Sequence, residues 1–203
     1  MRFFVVILFF VFLVSCGVRT SENFYLLNYV TPKDPQFLIK YKNKVPLQYS
    51  VQVDEFETSR LLERKSIIIR ESMHKLHYDK KNKWAIKPNK AIRSLISDQI
   101  KGYDVFQECS EEFFKRDPDL FIGGKINNIE LYSSEDSYFA YVDIEIILKD
   151  KLENVLFSYR INRREDLFNR NFVYFVKSIS DVLKEEVDKF IVKTLDFLIS
   201  GKG

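Results

Sequence analysis

Between residues 45 and 54 apolar and polar residues take turns: Val45, Leu47, Tyr49, Val51 and Val53 fall on one parity, Pro46, Gln48, Ser50, Gln52 and Asp54 on the other. A period of two marks a strand with one face in a core and the other in water. The alternation returns at Tyr138, Ala140, Val142, Ile144, Ile146 and Leu148. Beyond the polar residues 150–154 it resumes at Val155, Phe157, Tyr159 and Ile161, which predicts an antiparallel hairpin. Shorter runs predict strands at Phe24-Tyr25-Leu26-Leu27, on a sheet edge, and at 66–70, 75–78 and 103–109. The cluster Asp79-Lys80-Lys81-Asn82-Lys83 predicts a turn, and the stretch holding Pro32 and Pro35 a loop. Asp117-Pro118-Asp119 is a turn into a longer strand that Gly123-Gly124 is expected to kink or bulge.

Two stretches change to a helical period. Pro88 suits a first helical turn, Ile92, Leu95, Ile96 and Ile100 keep three- and four-residue spacing, and Gly102 suits the position just past the end, so 88–101 is expected to be an amphipathic helix. From 171 to 199 the apolar positions are Phe172, Val176, Ile179, Leu183, Val187, Phe190, Thr194 and Leu198. Packing onto the sheet is the preferred reading of this stripe; a partner-binding helix is the alternative. Together these elements predict one α+β domain over residues 24–203, a mixed, mostly antiparallel sheet with two amphipathic helices packed on it.

The N-terminus follows neither period. After Met1 and Arg2, positions 3–14 are all apolar, and Ser15 and Cys16 end the run. Twelve apolar residues are too few to cross a bilayer as a helix, which takes about 20, and the layout is that of a secretory signal. Leu13-Val14-Ser15-Cys16 is similar to the lipobox of bacterial lipoproteins, in which the cysteine is diacylated and becomes the first mature residue. Residues 1–15 are thus expected to be removed and 16–23 to form a tether. Cys16 is the expected lipid-attachment site, anchoring the domain to a membrane with palmitate-like chains that together hold it firmly. Gly17 stands where an Asp would resemble an inner-membrane retention signal, so the expected location is the periplasmic side of the outer membrane.

Composition narrows the function. Without Arg2 the 32 basic residues become 31 against 29 acidic ones, a net charge of +2 that carries no footprint for nucleic acid. Eleven Tyr and nineteen Phe favour strands over disorder. With Cys16 acylated, Cys109 is the remaining thiol, so no intramolecular disulfide is expected; it reads as a small buried hydrophobe, with a reactive or intermolecular thiol as the alternative.

Candidate chemistry is sparse. His74 and His77 point to opposite faces of strand-like sequence and have no cysteine near them, so no metal site is expected. Asp143 and Glu145 share a strand face, expected to be its solvated side. Gly123-Gly124-Lys125 lacks the spacing and the hydroxyl residue of a phosphate loop. Arg160, Arg163, Arg164 and Arg170 form either a solvated strand end or a basic patch for phospholipid headgroups or an acidic partner; Arg160, Arg163 and Arg164 are the candidate partner-binding residues. No catalytic constellation and no cofactor are expected.

The lipobox, Phe24-Tyr25-Leu26-Leu27, the strand ending at Val53, the 61–70 segment and Trp84-Ala85 ahead of an amphipathic helix together resemble the ABC-type transport auxiliary lipoprotein family. These lipoproteins, which include the paraquat-inducible lipoprotein, accompany MCE-type lipid transport systems. The resemblance implies a fold like the N-terminal domain of TolB. It also implies a non-catalytic role: tethering or positioning a periplasmic MCE assembly while an ATPase and permease supply energy. A lipoprotein cofactor of another envelope machine, such as a peptidoglycan synthase activator or a secretion component, is the alternative.

Overall fold

The computed structural model describes residues 21–33, 35–134 and 137–201. The signal segment, Cys16 and most of the tether lie outside the described residues. The element order is β1 (Asn23–Tyr25), β2 (Leu47–Val53), β3 (Glu57–Thr58), β4 (Ser66–Ser72), β5 (Lys75–Trp84), α1 (Pro88–Gly102), β6 (Phe106–Ser110), β7 (Leu120–Ser133), β8 (Tyr138–Asp150), β9 (Val155–Leu167) and α2 (Phe172–Ser200), with 3₁₀ turns at Gln36–Tyr41 and Arg60–Leu62. The α+β class follows: a mixed sheet whose long pairings are antiparallel, with two long helices packed on one side.

The fourteen-residue β7 is the spine of the sheet. One of its edges carries β8, antiparallel over the whole length, and β9 beyond it. Its other edge takes β2, β3 and β4 in succession, all parallel to it. β6 flanks β2, β5 flanks β4, and β1 closes that side as a parallel edge strand on β5. The predicted 138–161 hairpin therefore forms as expected, with Ala140, Val142, Ile144, Ile146 and Leu148 all buried on the helix side.

Phase is kept on β7 by a bulge. Leu120, Ile122 and Ile126 face the core on even positions, while Ile129 and Leu131 face it on odd ones. The switch comes at Asn127, which has no partner on β8 although Ile126 pairs with Ile144 and Asn128 with Asp143. One extra residue restores the apolar face after the parity changes. The expected bulge at Gly123-Gly124 is thus displaced by three residues. Gly124 stays in register opposite Ile146, and its φ of 150° and the Glu145 carbonyl oxygen, which an added Cβ would overlap, account for the glycine.

Tyr49 is exposed and Ser50 buried, against the alternation over 45–54. The register slips between Leu47 and Ser50, and the Asp119 carboxylate accepts hydrogen bonds from the Ser50 amide and hydroxyl (2.8 and 2.6 Å), which draws the serine inward. The cluster 79–83 is a bulged part of β5: Asp79 accepts from the amides of Lys81 and Asn82 as in a turn, but the reversal between β4 and β5 lies at Met73 and His74. Residues 103–105 cap α1, with Asp104 at φ 51° taking the left-handed position expected of Gly102.

Both helices cover the same side. α1 buries Ala91, Ile92, Ile96 and Ile100 over β2 and β6. α2 is capped by Asn171, whose side chain accepts from the amides of Val173 and Tyr174, and ends at Gly201 with φ 60°. Its buried stripe is wider than the spacing predicts, adding Phe175, Val182, Ile191 and Leu195. The two helices meet through a buried polar contact: Gln99 donates to Asp188 (2.5 Å) and accepts from the Tyr29 hydroxyl (2.7 Å), and the Tyr103 hydroxyl also donates to Asp188 (2.7 Å). No helix among the described residues is long and apolar enough to cross a membrane.

Candidate partner-binding surface

With the helices on one side, the opposite side of the sheet carries β8 positions 139, 141, 143 and 145 and β9 positions 160, 162 and 164. Tyr132 and Phe139, directly paired across β7 and β8, stack with centroids 4.3 Å apart, and the Arg164 guanidinium lies 3.9 Å above the Phe139 ring. The Asn162 amide donates to the Tyr141 hydroxyl (3.1 Å). This outer side thus carries a stacked aromatic pair with a cation over one of its rings and hydrogen-bonding groups nearby.

The three candidate arginines do not form one patch. Arg160 and Arg164 lie on the outer side, whereas Arg163 points the other way, under α2. Arg160 grips Asp143 through two hydrogen bonds (3.1 and 2.8 Å) while staying largely exposed itself. Asp143, expected on a solvated side, is buried under that arginine and also accepts from Asn127 (3.4 Å). A buried carboxylate needs such a partner, because desolvation alone costs several kcal/mol. Arg164 is exposed and pairs with exposed Asp166 (3.1 Å). Arg170, in the loop before α2, is exposed.

Arg163 is the centre of a charge network that fastens α2 to the β9 edge. It donates to Glu165 (2.6 Å) and to the buried Glu186 (2.7 Å), which also accepts from the Tyr159 hydroxyl (2.5 Å) and from Lys189 (2.8 Å). Burial pushes the Glu186 carboxyl up, but the hydrogen bonds from Lys189, Tyr159 and Arg163 outweigh it and hold the group below the ordinary carboxylate range. For Arg163 the Glu165 hydrogen bond leads, and the guanidinium is held charged. Its signal in the sequence is a glutamate inside the apolar stripe, between Leu183 and Val187. Beside this network, Arg163, Glu165, Leu167, Phe168, Tyr174 and Lys177 line part of an open groove of about 490 Å³ between β9 and α2.

The remaining candidates fall elsewhere. His74 sits in the β4–β5 turn, and His77 is 3.0 Å from Glu71. Cys109 is partly buried near the end of β6, and burial pushes its thiol up to about 11. Asp54, Glu55, Glu57, Lys125, Glu145 and Lys149 surround a shallow depression around Gly124. Cys16 lies outside the described residues.

No protein-family model and no curated protein matches this chain. Its fold is similar to a crystal structure of a Xanthomonas campestris protein of the DUF330 family, at a TM-score of 0.72 and 12% identity, over 88% of this chain and 98% of that one. It is also similar to a crystal structure of an uncharacterized protein, at a TM-score of 0.63 and 11% identity, over 86% and 99% of the two chains. At these identities the likeness shows the fold: an α+β domain spanning nearly the whole of each of those chains.

Proposed function

We propose that this protein is a lipid-anchored accessory component of an MCE-type lipid transport system, held to the periplasmic side of the outer membrane by an acylated Cys16. Its role is non-catalytic: it tethers or positions the lipid-conducting assembly. The observation that carries the reading is a lipobox-like run ending at Cys16, a few residues ahead of a folded α+β domain. The MCE assignment rests on the order of sequence features that resembles the transport auxiliary lipoproteins.

The outer side of the sheet is the surface offered to the partner. Its stacked Tyr132 and Phe139 supply rigid apolar area at little entropic cost, and Arg160 and Arg164 supply orienting charge. Crosslinking in intact cells followed by affinity isolation is expected to recover an MCE-type periplasmic protein. Deleting the gene is expected to give the same envelope-permeability defect as deleting the transporter. Recovery of a peptidoglycan synthase or a secretion component, with no MCE protein, would instead favour a cofactor of that machine.

A further inference from the structure

The strand registers bring several exposed apolar side chains to one end of the sheet. Ser133, Tyr138 and Leu167 stand side by side where β7 and β8 turn and β9 stops, and Arg70 pairs with Tyr132, so the β4–β5 turn lies at the same end. There Met73 is 82% exposed and Phe168, just past β9, 99% exposed. Val173 and Tyr174, in the first turn of α2, are exposed too, and Phe168 and Tyr174 line one groove. The loop between them carries the exposed Arg170.

Exposure alone does not single out this end, because Leu152 and Val155 are exposed at the other. The path of the chain does. β1 runs parallel to β5, which starts at the β4–β5 turn and runs away from it, so the N-terminal side of β1 points to the Met73 and Phe168 end. Tyr25 of β1 also contacts Phe172, with ring centroids 5.8 Å apart, which places the start of α2 beside the incoming chain. Cys16 precedes Asn23 by seven residues, a span of at most about 25 Å even when fully extended.

We infer that this end of the domain rests against the phospholipid surface that holds Cys16, with Phe168 and Tyr174 seated in the interfacial layer and Arg170 among the headgroups. The inference rests on the proposed acylation of Cys16. The Tyr174 ring can bury its apolar face while its hydroxyl stays wet, the Phe168 ring gains by leaving water for the acyl boundary, and a cation beside them gains from anionic lipid. Such contact turns a loose tether into a fixed orientation, with the strands standing away from the membrane.

The test uses the full-length lipoprotein in vesicles of phosphatidylethanolamine and phosphatidylglycerol, with Cys109→Ser as background. An environment-sensitive fluorophore is attached at Phe168→Cys or, as a control at the far end, at Leu152→Cys. Both positions are exposed, so neither change disturbs the core. The label at 168 is expected to shift its emission to the blue and to be quenched by brominated acyl chains, while the label at 152 stays water-like. Palmitate incorporation is measured on the same samples. A water-like signal at 168 in acylated, vesicle-bound protein overturns this inference and leaves the anchor standing; absence of acylation in the parent protein overturns both.

Discussion

Single residues divide into those that hold the fold and those that lie exposed on its surface. Arg163 belongs to the first group, since reversing it would set a second acid against the buried Glu186. Arg163→Glu is expected to cost about 3 kcal/mol or more in urea denaturation. Arg164 belongs to the second: Arg164→Glu loses a ring contact and one exposed pair, and no more than about 1 kcal/mol is expected. Similar losses for the two would mean that Arg163 is not the structural one. Val51, fully buried beneath the helices, gives a further check: Val51→Ala is expected to cost about 1–3 kcal/mol.

Glu186 makes the stability of the fold depend on pH. Its carboxyl is held below the ordinary value near 4.5 in the folded protein, so the stabilisation is complete above that value and is lost as pH falls through the lower folded one. Denaturation midpoints measured from pH 6 downward are therefore expected to fall less steeply in Glu186→Gln than in the parent. Asp119 and Asp196, also held low by their hydrogen bonds, keep part of the slope in both proteins.

Elements with an unbroken period were legible in the sequence, and interrupted ones were not. The 138–161 hairpin and the helices at 88–101 and 171–199 follow from spacing because each buries one continuous face. The spine strand β7 was legible only as a long strand, since its apolar parity changes at Asn127 and the compensating bulge is a matter of pairing with β8. Deleting Asn127 is expected to turn Ile129 and Leu131 away from the core and abolish cooperative unfolding, whereas Asn127→Ala leaves the bulge and costs about 1 kcal/mol. A deletion variant that unfolds cooperatively near the parent's midpoint would show that the bulge does not set the phase. Sites were less legible than elements: Arg160, Arg163 and Arg164 are near in sequence, yet strand alternation sends Arg163 to the helix side.

On the proposed reading the whole molecule combines an anchor, an orientation and a free surface. Cys16→Ala is expected to abolish incorporation of labelled palmitate and release the protein from membranes, because the proposed attachment is the acylated cysteine. Continued labelling with membrane fractionation would place the anchor elsewhere. The outer side of the sheet, with its stacked aromatics, is the surface proposed for the partner. The most direct measurement places a photo-crosslinking residue at Asn162, in the middle of that side, in the full-length protein in living cells. An adduct with an MCE-type periplasmic protein, lost in Cys16→Ala, is expected; an adduct only with a peptidoglycan synthase, or none with any MCE protein, would overturn the proposed function.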